Sequence, residues 1–155
     1  MNTSAPDTPR AVVIGGSSGI GAAIAQALQA SGRQVIATGA TEAEVQRAVS
    51  DPAMRQVQVR QLDVRNNDAI QSLFGELPRL DVLVNCAGVI RRGAELDPTM
   101  FAEVLDINLN GTMRCCAAAR PLLAQSRGCI INTASMLSFF GGGLVPAYSA
   151  SKGGV

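Results

Sequence analysis

The chain has 155 residues, 47% of them apolar and 16% charged, with a formal net charge of +1. That suffices for one domain with a buried core, and it excludes a disordered chain or a strongly basic nucleic-acid binder, so no nucleic-acid partner is expected. Histidine is absent altogether, which removes Ser-His-Asp and Cys-His catalysis and most catalytic zinc sites, and no metal is expected.

Met1 to Pro9 is polar, carries two prolines and lacks an apolar leader core, so residues 1–9 are expected to form a flexible tail. Ala11–Gly15 is a β-rich run ending in glycines. Ile20, Ala23, Ile24, Ala27 and Leu28 then follow helical spacing, stopped at Gly32. Val35–Thr38 is a second strand, Glu42–Val49 a short helix closed by Asp51-Pro52, and Val57–Leu62 an alternating third strand. Ala69, Ile70, Leu73, Phe74 and Leu77 form the next helical stripe, ended by Pro78. Asp81–Val84 is a fourth strand, apolar enough to be buried on both faces.

Asp97-Pro98 pairs an N-cap with proline at the first helical position. The helical region it opens runs to about Gln125, with a break expected near Asn110-Gly111 and a perturbation at Pro121. Cys129–Asn132 is a fifth strand, and the loop Gly141–Gly143 leads to a last helix from Pro146. Such strand–helix alternation predicts an α/β, Rossmann-type doubly wound parallel sheet in a single domain, residues 10–155. The last helix has barely two turns, and the fifth strand is left as a bare edge, so the expectation is the front part of a longer protein.

Cys86, Cys115, Cys116 and Cys129 form no C-x-x-C pair, and two are adjacent. They are expected to be buried, reduced thiols, with the protein in the cytoplasm. No apolar run reaches the roughly 18 residues of a membrane span, so no membrane partner is expected.

The chemistry begins at Gly15-Gly16-Ser17-Ser18-Gly19-Ile20-Gly21, between the first strand and the first helix. Glycines there permit a tight turn, close approach of a pyrophosphate to the backbone and close helix–strand packing, while the helix start offers free N–H groups. The end of the second strand should read the ribose, an acidic residue favouring NAD and a basic one NADP. Thr38-Gly39-Ala40-Thr41 holds neither, and Glu42 comes slightly late, so the choice stays open. Asn85-Cys86-Ala87-Gly88 follows the fourth strand, where small residues let a strand end lie against a flat ligand; an ordinary turn reads equally well.

The only tyrosine, Tyr148, stands four residues before the only lysine, Lys152. On a helix the two share a face. A free phenol is a poor acid or base at neutral pH, and a fixed cation beside it stabilises the phenolate; an oxidised nicotinamide would add a second positive group. Ser135, at the end of the fifth strand, could hydrogen-bond a substrate carbonyl or be no more than a loop serine.

Together, G-x-x-x-G-x-G at Gly15–Gly21, Asp63 after the third strand, the N-x-A-G turn at Asn85, Asn108 in Ile-Asn-Leu, and Ser135 with Tyr148-x-x-x-Lys152 resemble the short-chain dehydrogenase/reductase family. The resemblance spans Arg10 to the last residue. It implies an NAD(P)-dependent oxidoreductase that interconverts secondary alcohols and ketones. The domain would be of seven strands, of which the first five are present, and the enzyme a homo-oligomer, usually a tetramer. By resemblance Tyr148 is the general acid/base, Ser135 orients the carbonyl, Lys152 binds the nicotinamide ribose and Asn108 holds a relay water. Gly15, Ser17, Ser18, Gly19, Ile20, Gly21, Asp63, Val64, Asn85, Ala87 and Gly88, with Tyr148 and Lys152, would bind or border NAD or NADP. Ile14 and Cys86 depart from the threonine and asparagine usual at their positions, and the sixth and seventh strands with the substrate loop are missing.

Within the family, Ala87–Arg92 and Ala134–Phe139 with Val145–Tyr148 are most similar to sugar-acid dehydrogenases acting on 2-deoxy-gluconate-type acids. Arg91 or Arg92 could pair with a substrate carboxylate through a bidentate fork, or both could be solvated loop charges. A 3-oxoacyl thioester reductase is the main rival, and a catalytically silent nucleotide-binding fragment the reading from another class. A sugar-nucleotide epimerase or dehydratase is disfavoured by the glycine spacing.

Overall fold

The computed structural model describes residues 8–155; residues 1–7 of the expected tail lie outside the described residues. The elements alternate as the apolar spacing requires: β1 (Arg10–Ile14), α1 (Gly19–Ala30), β2 (Gln34–Gly39), α2 (Glu42–Ser50), β3 (Gln58–Gln61), α3 (Asn67–Gly75) and β4 (Val82–Asn85). After them come α4 (Pro98–Leu105), α5 (Gly111–Ser126), β5 (Cys129–Asn132) and α6 (Pro146–Gly154). All five strands are parallel, in the order β3-β2-β1-β4-β5. This is the doubly wound Rossmann-type arrangement, with the strand order reversing between β1 and β4.

Alternation along β1 divides the core. Val12 and Ile14 face α3 and α5, joining Ile70, Leu73, Phe74, Cys115, Ala119 and Leu123, while Ala11 and Val13 face α1, joining Ala22, Ala25, Val35 and Met54. Buried on both faces, β1 and β4 read as continuous apolar runs. At the edge, β5 has all four residues exposed, including Ile130 and Ile131.

Two backbone expectations need correction. The third strand is shorter than Val57–Leu62: Val57 and Leu62 are buried, but only Gln58–Gln61 pair with β2. There is no break at Asn110-Gly111. Asp106–Asn110 is a π-helical turn that joins α4 to α5, and the backbone at Asn110 and Gly111 is helical. Gly111 serves contact rather than interruption, since a Cβ there would lie 2.6 Å from Val64 Cγ2. Pro121 sits inside α5 without ending it. The carbonyl it leaves without an N–H donor, that of Ala117, is on the exposed side with Pro121 itself, where water can serve it.

The thiols also divide. All four are free, as expected, but only Cys115 is fully buried, and Cys129 is exposed on the edge strand. Among the described residues no helix is long and apolar enough to cross a membrane.

Asp97 Oδ1 accepts from the Thr99 and Met100 N–H groups at 2.9 and 3.1 Å, capping α4 with Pro98 at its first position. Replacing Asp97 by Ala should therefore cost about 1 kcal/mol of folding stability in a denaturant titration.

Candidate active site

The Gly-rich turn between β1 and α1 is folded onto the end of β2. Ser17 N–H donates to the Thr38 carbonyl and Gly15 N–H to Thr38 Oγ1, both at 3.1 Å. Gly15 has φ +74°, and a Cβ on Gly21 would lie 2.2 Å from the Gly15 carbonyl oxygen, so the turn closes only with glycine at both places. Ser18 takes the N-cap position of α1 in extended conformation but makes no side-chain cap, and the first turn holds no acidic residue. Free N–H groups at a helix start with no competing anion are what a diphosphate needs.

A cavity of about 490 Å³ opens there, over the carboxyl ends of β1 to β4. Gly15, Ser17, Ser18, Ile20 and Gly21 line one wall, Asp63 and Val64 another, and Ala87 and Gly88 a third. Its place at the strand-order reversal and its size suit a dinucleotide. Among the described residues there is no cluster of metal-ligating side chains.

Not every expected cofactor residue reaches the cavity wall. Gly19 lies outside it, in open space with φ +54°. Asn85 is buried, and its amide is turned toward Cys116 Sγ (3.3 Å) and Asn132 Oδ1 (2.9 Å), leaving Asn85 Oδ1 without a partner. It shapes the strand end rather than the wall. Asp63 is in the wall but is held by Arg65, whose Nε and Nη2 donate to it at 2.6 to 3.1 Å. That guanidinium, before the opposing effect of burial, holds the Asp63 carboxyl below its usual range.

Arg65 and Glu44 line the cavity although neither stood out in the sequence. Glu44 Oε2 accepts from Ala40 N–H at 2.7 Å, beside the end of β2. An acidic group, Glu44, therefore stands beside the end of β2, while Arg65 is engaged with Asp63 after β3.

The catalytic candidates lie just beyond the cavity wall. Lys152 is only 6% exposed, its Nζ donates to the Thr133 carbonyl at 2.6 Å, and it lies 5.8 Å from the centroid of the Tyr148 ring. A Cβ on Gly88 would be 3.8 Å from the same Nζ, so the ammonium joins the tyrosine to the wall of the cavity. Burial lowers the pKa of Lys152, with Cys86 opposing the shift. Ser135 caps the short 3-10 turn Met136–Ser138, its Oγ accepting from Leu137 N–H at 3.2 Å. Ser138 Oγ in turn donates to the Lys152 carbonyl at 2.5 Å, tying this turn to α6.

Asn108, fully buried in the π-helical turn, has its amide engaged. Oδ1 accepts from Val89 N–H (2.8 Å), and Nδ2 donates to the Val89 carbonyl (2.9 Å) and Ser151 Oγ (3.1 Å). Its side chain thus fastens the loop after β4 to α6 and has no donor left for a water. The two arginines separate as well. Arg91 lines the cavity; Arg92 is exposed outside it. Cys115 cannot serve as a nucleophile, because burial pushes its thiol up to about 12. One buried residue at this end of the sheet, Glu95, was not singled out in the sequence.

Residues 9–155 match the family model described as short chain dehydrogenase. A 2-dehydro-3-deoxy-D-gluconate 5-dehydrogenase of Bacillus subtilis is 39% identical over 150 residues, covering 92% of this chain and 59% of its own length. The protein of that name from Escherichia coli is 36% identical, over 94% of this chain and 60% of its own length. A crystal structure of a variant actinorhodin polyketide ketoreductase with NADPH superposes with a TM-score of 0.86 at 31% identity, over 98% of this chain and 62% of that one. The chain therefore spans about three fifths of the length of these relatives. By the family model, which matches nearly the whole of it, the chain belongs to the short-chain dehydrogenase family.

Proposed function

We propose that this chain carries the cofactor cradle and the acid/base group of an NAD(P)-dependent oxidoreductase that interconverts a secondary alcohol and a ketone. The observation that carries the reading is the buried Lys152 ammonium, set between the Tyr148 ring, the Thr133 carbonyl and Gly88 of the cavity wall. A cation is costly to bury, and here it faces a group that needs one in order to act as an acid or base.

The uncapped start of α1 and the wall at Asp63, Ala87 and Gly88 would hold NAD or NADP, which would supply or accept the hydride. The protein's own residues manage the proton. In reduction the Tyr148 phenol gives its proton to the carbonyl oxygen; in oxidation the phenolate takes it from the hydroxyl. Lys152 stabilises the phenolate form by proximity. The Ser135 hydroxyl accepts from Leu137 N–H, so its own hydrogen remains to donate to the substrate oxygen. Asn108 acts by holding the Val89 backbone and Ser151 in place.

A sugar acid is the substrate class favoured by Arg91, the one member of the arginine pair that lines the cavity, and by the two relatives named for a deoxygluconate. A carboxylate would find a two-toothed donor there. The family resemblance implies a homo-oligomer, usually a tetramer, and a tetramer of the complete protein is part of this proposal.

Three measurements test it. Tyr148→Phe should lower turnover at least about 10²-fold while NADH or NADPH binding, followed by fluorescence titration, is preserved; near-normal turnover rejects the role. Arg91→Ala should raise KM for gluconate-type acids about tenfold or more and leave acetoacetyl thioesters unaffected. Preferential reduction of the thioesters by the unsubstituted protein would instead select the 3-oxoacyl reading. Lys152 provides the pH test. Its folded pKa is depressed, so the unfolded chain binds more protons between that value and the ordinary one of about 10.4. The parent should therefore gain stability relative to Lys152→Met as pH rises through that window, read from paired thermal melts; parallel curves would contradict it.

A further inference from the structure

The start of α6 lacks a cap of its own. Val145 occupies the N-cap position and makes no side-chain cap, and Pro146 follows at the first helical position. Valine is among the poorest residues for that place, having no oxygen to offer the free N–H groups of the first turn. Yet the helix begins in order, and its third residue is Tyr148.

The missing acceptor comes from 53 residues away. Glu95, in the short 3-10 turn Ala94–Leu96, is 1% exposed, and its Oε2 accepts from Tyr148 N–H at 2.8 Å. The other oxygen, Oε1, accepts from Arg91 N–H at 2.7 Å. Both carboxylate oxygens are thus spent on backbone N–H groups, one on the tyrosine helix and one on the loop that carries Arg91. The positive end of the α6 dipole favours a carboxylate there. Two further ties hold the same loop: Val89 N–H on Asn108 Oδ1, and Gly93 N–H on the Leu144 carbonyl at 2.7 Å.

We infer that Glu95 is a positioning residue: its carboxylate clamps the first turn of α6 to the Arg91 loop and so fixes Tyr148 and the cavity arginine relative to one another. The catalytic consequence rests on the oxidoreductase reading; the clamp itself does not. A phenol must meet its substrate oxygen within hydrogen-bond reach, and a misplacement of about 1 Å can cost 10²-fold in rate. Gln is not an adequate substitute. It keeps the size and one acceptor but turns an NH₂ group toward the second N–H, donor against donor.

The chain supplies its own probe, because with one tyrosine and no tryptophan its emission, when excited beyond the phenylalanine absorption, comes from Tyr148 alone. In Glu95→Gln, acrylamide should quench that emission more strongly, and amide hydrogen exchange at Arg91 and Tyr148 should accelerate about tenfold or more. Exchange in β1 and β4 should stay as in the parent. Unchanged quenching and exchange would overturn the clamp, and so would loosening spread evenly over the sheet, which marks a general structural role. Should Glu95→Gln fail to fold, exchange in the unsubstituted chain decides. The Arg91 and Tyr148 amides must then exchange together and more slowly than Arg92; exchange as fast as Arg92 overturns the inference. None of these readouts needs cofactor or turnover, so a chain that binds no NADH or NADPH would refute the oxidoreductase reading while leaving the clamp standing.

Discussion

Burying the Lys152 ammonium constrains everything at this end of the sheet. Removing a cation from water costs several kcal/mol unless the surroundings replace its hydration. Here the replacement consists of the Thr133 carbonyl at 2.6 Å and the Tyr148 ring at 5.8 Å. The carbonyl is fixed by the parallel pairing of β5 with β4, continued by Thr133 N–H on the Asn85 carbonyl at 3.1 Å. The ring is fixed by α6. A short helix that carries a costly buried charge cannot be held by propensity alone. It is held instead by Ser138 Oγ on the Lys152 carbonyl, by Asn108 Nδ2 on Ser151 Oγ, and by Glu95 on Tyr148 N–H.

The helix starts show how the chain divides structure from chemistry. Thr41, Asn66 and Asp97 cap α2, α3 and α4 with their own side chains. Among the described residues, α1 and α6 are the α-helices that start from a loop without such a cap. At α1 the uncapped N–H groups stand at the cavity wall, and filling them locally would remove the anion site proposed there. At α6 the cap is delegated to Glu95, which couples the helix to a distant loop. A local Ser or Asp at 145 would satisfy the same N–H group without linking it to Arg91.

Much of this was legible in the sequence, and the reasons for the rest are physical. Strand–helix alternation and the glycine spacing were sufficient for the parallel sheet and its first turn, because period and punctuation are local signals. The Tyr148–Lys152 offset was equally local. What escaped were pairings across the fold. Nothing near Glu95 marks it as buried, since its partners lie at Arg91 and Tyr148; the one available hint was a valine where α6 needed a cap. The family resemblance implies a cofactor role for Asn85, and what the sequence does not reveal is that the alternation of side chains turns its amide to the α5 side, toward Cys116. The two arginines could not be told apart in sequence, being adjacent; only the course of the loop places Arg91 in the cavity wall and Arg92 outside it.

The π-helical turn at Asp106–Asn110 completes the argument, because it explains both the misread break and the role of Asn108. An asparagine followed by glycine commonly ends a helix, yet here the extra residue is absorbed by widening one turn, with Gly111 N–H on the Asp106 carbonyl. Widening upsets the regular ladder, and side chains repair it. Arg114 donates to the Asp106 and Val64 carbonyls and to Asp106 Oδ1, while Thr112 Oγ1 donates to the Asn108 carbonyl at 2.8 Å. The gain is the placement of Asn108 itself. An amide that must bond the Val89 backbone with both its oxygen and its nitrogen, and also reach Ser151, has little positional freedom. The wide turn and the buried carboxylate of Glu95 therefore act on the same loop from two sides, Asn108 at Val89 and Glu95 at Arg91, and each also holds α6.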